Sequence, residues 1–349
     1  MLVLSDKAQL LVSMGFVYTL AGIGLSTHMQ IDMPTRFESA IDGSLQAIYE
    51  ADFDKKNPLN IHAVAAMGAI KYAVFGQVKS GAIVGKDGWL FTSEEFDVEP
   101  NFYHNLTAAA DEIAQIQALL EENDVTLIPV LVPDKADVYA EQLSFVRPVE
   151  VETRRQYLLS LLVVRGVPAI DATDTLRSLK NSGHGFLKDD THWSPHGSKA
   201  VAKLVAAHHA GLDVPLTSVS VTTVQGRSNT FDGDLLQFVP TGSFRTSIGP
   251  AQQHIDTFTT TVQTEGGMFD DTSVDVALVG TSFSAKSDWN FLGFLQASLG
   301  ADVLNFAAEG QGPFAPMHAF LASDTFLNET PKLVIWEIPV RYTSKEMIR

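Results

Sequence analysis

VDVALVG-TSFS, residues 274–284, decides the fold. The run 274–280 is a short apolar stretch of buried-strand type. It ends in Gly280-Thr281-Ser282, with a helix expected near residues 288–299. A buried strand that ends in Gly-x-Ser and turns into a helix presents a hydroxyl at the C-terminal edge of the sheet. Ligands bind at that edge in open α/β sheets. The N–H groups at a helix start are unpaired and can stabilise an oxyanion. Position 284 is Ser, so this is not the G-x-S-x-G elbow. Taken alone, Gly-x-Ser also reads as an ordinary helix cap.

Working outward, four further apolar runs predict strands: VTLIPVLV (125–132), VPAID (167–171), DVLNFA (302–307) and KLVIWEI (332–338). Between them, helical spacing covers residues 105–123, 150–165, 195–210 and 314–326. Strands alternating with helices predict a three-layer α/β/α domain with a mainly parallel sheet, over residues 81–349. AIVGKDGWLF (82–91) reads as a hairpin around Asp87-Gly88. Residues 215–272, with VSVTTV and TFTTTV, read as a β-rich insertion. Residues 31–80 read as a helical N-terminal extension, interrupted at Pro58. Residues 9–25, QLLVSMGFVYTLAGIGL, carry no charge and follow Lys7. They predict a signal anchor within residues 1–30, which would tie the chain to the inner membrane and place the remainder in the periplasm. A cleaved signal and a buried helix are the competing readings.

Composition narrows the chemistry. The chain has 349 residues, 45% of them apolar, which supports a full-sized core. It has no cysteine, so a disulfide scaffold, a thiolate metal site and a cysteine nucleophile are excluded. A net charge of −17 without a basic patch argues against nucleic-acid binding. An anionic polysaccharide would need a locally basic cleft.

The second chemical element is Asp189-Asp190-Thr191-His192-Trp193-Ser194-Pro195. Ser194 suits an N-cap and Pro195 the first helical position, so His192 falls on the loop before the helix. Asp190, two residues earlier, can fix the imidazole tautomer, as the third group of a serine triad does. A metal site of Asp190, His192 and His196 competes, but Pro195 puts His192 outside the helix and breaks the same-face pattern. No metal and no cofactor are expected. The third element is NFAAEGQGP (305–313), where Gly310 and Gly312 let backbone N–H groups approach a substrate. The fourth is WEIPVRY (336–342), which puts Arg341 and Tyr342 just past the last strand; an arginine there can bind a carboxylate.

Together GKDGWLF (85–91), VPDKADVY (132–139), DDTHWSPHG (189–197), GTSFS (280–284), NFAAEGQGP (305–313) and WEIPVR (336–341) resemble the AlgJ/AlgX family of alginate O-acetyltransferases, whose domain is SGNH-hydrolase-like. The resemblance runs from about residue 35 to the end. It implies a triad of Ser282, His192 and Asp190, in a permuted order with His192 before Ser282. The usual Gly-x-Asn-Asp block is not visible, so the Ser282 N–H and a glycine N–H at 310 or 312 are the oxyanion candidates. Members of the AlgX type carry a C-terminal carbohydrate-binding module; an apparent anchor and no such module resemble the AlgJ type. The resemblance further implies a polysaccharide acceptor, with alginate as the default, and an acetyl donor delivered by a multispanning membrane acyltransferase. Trp193 is a candidate sugar-stacking face, and Arg341 with Lys135 are candidates to hold uronate carboxylates. An esterase with the same triad, and a non-catalytic polysaccharide-binding protein on the same fold, are the alternatives.

Overall fold

The computed structural model describes residues 6–31, 44–181, 184–263 and 274–346. The contacts divide the chain into two units: residues 80–238 with 250–349, and residues 1–79 with 239–249.

The larger unit is built on the strand that opens the sequence reading. Nine strands are present among the described residues: β1 (Ala82–Val84), β2 (Leu90–Thr92), β3 (Thr126–Val132), β4 (Ile170–Asp171), β5 (Ser220–Phe231), β6 (Gln253–Gln263), β7 (Val276–Val279), β8 (Val303–Asn305) and β9 (Leu333–Pro339). Five of them form one sheet in the order β4-β3-β9-β7-β8, with every pairing parallel. The last strand in the chain is therefore the central one.

The apolar runs lack alternation because both faces are covered. On β3, β7 and β9, Ile128, Val130, Val276, Leu278, Leu333 and Ile335 point into one core cluster. Their neighbours Leu127, Leu131, Ala277, Val279, Val334 and Trp336 point into the other. Each fully buried Val, Leu or Ile contributes about 1.5–3 kcal/mol of transfer free energy. The helices Phe102–Glu121 and Val149–Val164 supply the second cluster, and Pro195–His209 and Phe291–Leu299 the first.

β1 and β2 form the expected hairpin, with Asp87 (φ 52°) and Gly88 (φ 78°) both left-handed, as an Asp-Gly turn requires. The Thr- and Ser-rich stretch is one long antiparallel ribbon, β5–β6, with a register shift between Gln225 and Ser228. The expected insertion runs to residue 272, and its last residues lie outside the described ones. The single helix expected over 314–326 is two, Phe314–Leu321 and Asp324–Asn328, because Ser323 caps a new start through Phe326 N–H.

In the smaller unit, Asn57 accepts from Leu59 N–H and Pro58 follows at the first helical position, so the chain breaks between Ser44–Lys56 and Pro58–Phe75. Gly76 (φ 61°) closes the second helix. Residues 239–249, inside the expected insertion, group here: a Cβ on Gly68 would lie 2.0 Å from the Pro240 carbonyl oxygen. The apolar N-terminal segment is helical from Asp6–His28, with Phe16, Val17, Tyr18 and Leu25 exposed. Among the described residues, no helix is long and apolar enough to cross a membrane.

Candidate active site

The parallel sheet brings its C-terminal strand ends to one edge. After β7 the chain passes Gly280 and starts a one-turn helix, Ser282–Ala285, with Thr281 as N-cap accepting from Phe283 N–H. Ser282 is partly exposed at this turn. Its carbonyl accepts from Trp289 Nε1 at 3.1 Å, which ties the turn to the next helical segment.

The facing loop ends at the helix Pro195–His209. Ser194 Oγ accepts from Gly197 N–H at 3.0 Å and Pro195 takes the first helical position, so His192 stays on the loop. His192 is buried, its ring stacked on Trp289 at 4.8 Å and 20° and tilted against Phe283 at 4.7 Å. His192 Nδ1 lies 2.7 Å from Asp190 Oδ1, and His192 Nε2 lies 2.7 Å from Ser282 Oγ. An ionised carboxylate only accepts, so Nδ1 carries the proton and Nε2 is free to accept from the Ser282 hydroxyl.

Asp190 is also buried. Its Oδ1 accepts from His192 N–H at 2.8 Å and its Oδ2 from Asp234 N–H at 2.8 Å. Burial pushes the carboxyl up, but the hydrogen bond and charge of His192, with the N–H groups of Asp234 and His192, outweigh it and hold it below the ordinary carboxylate value. The Asp234 carboxylate in turn accepts from Thr191 N–H (2.8 Å) and Thr191 Oγ1 (3.1 Å).

Asp190, His192 and Asp234 each offer one atom within 4.8 Å of the others, a possible metal-ligand set. The hydrogen bonds given above already use Asp190 Oδ1, both imidazole nitrogens and one oxygen of Asp234. His196, the alternative metal candidate, turns away and meets Asp256 at 3.1 Å.

A cavity of about 400 Å³ opens over this cluster. Ser282, His192, Thr191, Asp234, Gly310, Arg341 and Tyr342 line it, together with Glu94 and Phe238. Gly310 (φ 73°) and Gly312 (φ 67°) are both left-handed, and Gly312 lies in an adjoining pocket with Tyr342. Arg341 donates through Nε to Glu94 at 3.2 Å, and its guanidinium sits 5.3 Å over the Phe283 ring and 4.8 Å over the Tyr342 ring. Burial pushes Glu94 up, but Arg341 and Lys345 beside it hold its carboxyl below the ordinary range.

Two candidates from the sequence are not at this cavity. Lys135 is fully buried, and its Nζ donates to the carbonyls of Leu187 (3.1 Å), Lys188 (3.3 Å) and Asp190 (2.6 Å). Burial pulls the ammonium down to about 8 against the attraction of Glu95, Asp190, Asp234 and Asp189. It fastens the loop that carries His192 and cannot reach a substrate carboxylate. Trp193 is also fully buried, edge-on to Phe283 at 5.1 Å and tilted on Phe291 at 4.7 Å, so it anchors the loop in the core and offers no face to a sugar.

Three residues at the site carried no readable signal. Asp234 sits beyond β5 in a polar stretch, Trp289 in a short 3-10 turn, and Glu94 after β2. Each acts through a partner far away in sequence, which spacing does not encode.

The family description "SGNH hydrolase-like domain, acetyltransferase AlgX" matches residues 82–340. A protein of Azotobacter vinelandii named "Probable alginate O-acetylase AlgJ" is 33% identical over 311 residues, covering 86% of this chain and 80% of the relative. Its namesake in Pseudomonas aeruginosa is 35% identical over 318 residues, with the same two coverages, 86% and 80%. A solved structure, "O-Acetyltransferase Domain of Pseudomonas putida AlgJ", superposes with a TM-score of 0.71 at 31% identity, covering 78% of this chain and 94% of that one. The fold and these likenesses agree: the chain belongs to the SGNH hydrolase-like acetyltransferases of the AlgJ/AlgX family.

Proposed function

We propose that the chain is a polysaccharide O-acetyltransferase that works through an acetyl-serine intermediate. One observation carries this: His192 Nε2 lies 2.7 Å from Ser282 Oγ while Nδ1 is held 2.7 Å from Asp190. Ser282 Oγ attacks the carbonyl carbon of an acetyl donor as His192 Nε2 takes its proton. Asp190 stabilises the imidazolium. The Ser282 N–H and an N–H of Gly310 or Gly312 serve as the oxyanion donors in this reading. Collapse expels the donor's leaving group, which takes the proton from His192. A sugar hydroxyl then gives its proton to Nε2 and attacks acetyl-Ser282, releasing the ester and regenerating the serine.

The relatives' names point to alginate as the acceptor. Arg341 lines the cavity with one guanidinium edge on Glu94, and its remaining nitrogens suit a uronate carboxylate. Transfer wins over hydrolysis only if the cavity positions the sugar better than water. The exposed apolar side chains of Asp6–His28 suit an anchor in the inner membrane, with the site in the periplasm and acetyl supplied by a multispanning acyltransferase.

Supplying an acetyl ester with and without an oligouronate tests the assignment. Faster donor turnover and an acetylated sugar support transfer. Acetate release alone, unchanged by the oligouronate, would assign an esterase.

A further inference from the structure

Glu337 is a carboxylate hydrogen-bonded to the nucleophile turn, and nothing in the triad chemistry uses it. It lies on the central strand β9 and is fully buried. Among the described residues, no cation stands within ion-pair distance of it. A buried carboxyl without a cation is costly unless every lone pair finds a donor.

Its donors all come from the residues on either side of Ser282. Thr281 N–H donates to Glu337 Oε2 at 2.7 Å, and Thr281 Oγ1 lies 3.0 and 3.2 Å from the two oxygens. Ser284 Oγ donates to Oε2 at 3.1 Å. The two side chains that straddle Ser282 are thus fastened to one group.

Gly280 completes the arrangement. It does not adopt a left-handed φ, so turn geometry does not demand glycine. A Cβ at 280 would instead meet Glu337 Oε2 at 2.6 Å, Glu337 Cβ at 2.9 Å and Ser284 Oγ at 3.0 Å. The Gly of Gly-x-Ser is therefore the opening through which the carboxylate reaches Thr281 N–H.

We propose that Glu337 is a positioning residue for the nucleophile: it clamps Thr281 and Ser284 so that Ser282 Oγ is presented to His192, and Gly280 is glycine to admit it. Taking Ser282 as the nucleophile, as proposed above, the clamp acts on kcat and not on substrate binding. Burial also pushes the Glu337 carboxyl up to about 7, against the hydrogen bonds from Thr281 and Ser284 and the attraction of Arg341. A glutamine keeps one carbonyl acceptor for Thr281 N–H and Ser284 Oγ and gives Thr281 Oγ1 an N–H, so it should preserve the clamp. An alanine removes it.

The test measures sulfonylation of Ser282 by phenylmethanesulfonyl fluoride, located by peptide mass and normalised to folded protein, together with kcat and KM for a small acetyl ester. Glu337→Ala should slow sulfonylation and kcat at least about tenfold with KM within about threefold, and Glu337→Gln should stay within about threefold on all three. Gly280→Ala should reproduce the loss. In the double variant Gly280→Ala/Glu337→Ala the losses should be less than additive, because both changes strike the same clamp and the 2.6 Å clash with Oε2 is gone, although Cβ of residue 337 and Ser284 Oγ still stand at 2.9 and 3.0 Å from the added methyl. Wild-type Ser282 reactivity in folded Glu337→Ala would overturn the clamp. So would additive losses, or, should that variant not fold, a Gly280→Ala enzyme of unchanged kcat. A wild-type enzyme not labelled at Ser282 would instead overturn the nucleophile assignment itself.

Discussion

Two loops meet at 2.7 Å in this molecule, and opposite charges hold them. The turn that carries Ser282 rests on a buried carboxylate, Glu337, which accepts from Thr281 and Ser284. The loop that carries Asp190 and His192 rests on a buried ammonium, Lys135, which donates to three of its carbonyls. Neither support touches the cavity over Ser282. The comparison teaches that the motifs bring the chemistry, while residues from other strands set the distance between them. The nucleophile turn is short and begins a helix, so one buried acceptor, with Trp289 Nε1 on the Ser282 carbonyl and Asn305 on that of Ser284, holds it. The His192 loop is longer and needs Lys135, Asp234 and Gln253 together; Gln253 accepts from Lys188 N–H and donates to Asp189.

The largest expected effect breaks the meeting point itself. Ser282→Ala, with unfolding temperature nearly unchanged, or Asp190→Asn, with some loss of stability because the buried carboxylate accepts from His192 and Asp234, should lower acetyl transfer to an oligouronate by about 10³-fold or more, measured as acetylated product. A residual rate near wild type would detach the pair of loops from the activity.

Next, Lys135→Met should unfasten the His192 loop. Two buried carbonyls and one partly buried one lose a charged donor, so we expect a stability loss of about 2–4 kcal/mol in denaturant titration, and a fall in kcat of the surviving fold. Unchanged stability would mean that the loop holds itself.

The opposite support should reveal itself through pH. Burial raises Glu337 from 4.5 to about 7, so the folded state binds its proton more tightly than the unfolded chain does. Stability from this group is then full below the ordinary carboxyl value and is lost as pH rises through about 7. Glu95, also raised to about 7 by burial, adds the same sign and remains in the variant. The stability of Glu337→Gln relative to wild type should therefore grow between pH 4.5 and pH 7, by roughly 3 kcal/mol at most. A flat difference would mean that the carboxyl titrates normally in the fold.

The smallest effect falls on Asp234→Ala. The Asp234 N–H to Asp190 survives, while the two bonds to Thr191 and the 3.8 Å approach of Asp234 Oδ2 to His192 Nδ1 are lost. A drop of about tenfold in kcat is expected from a loosened Thr191, with rescue by Asp234→Asn. Equal loss in both variants would assign the charge of Asp234, and not its hydrogen bonds, to the site.

The sheet was readable because β3, β7 and β9 are buried on both faces and so appear as unbroken apolar runs. VPAID was overextended, since only Ile170–Asp171 pairs. Gly-x-Ser and Asp-x-His were visible because each sits at a helix start whose cap is local. Lys135 and Trp193 read as substrate contacts because polar and aromatic residues near a motif suggest a substrate, whereas burial depends on which distant elements close over them. Lys135 has Trp89 and Phe91 rings beside its ammonium, contacts that no local pattern predicts. Glu337 was on view in WEIPVRY, but its partner turn lies more than fifty residues away.

The most direct measurement is the mass of the Ser282 peptide after brief mixing with an acetyl ester and acid quench. The peptide should carry one acetyl group, which disappears when oligouronate is added before the quench, as the sugar gains it. An unmodified Ser282 peptide from an enzyme that still acetylates the sugar would contradict the account.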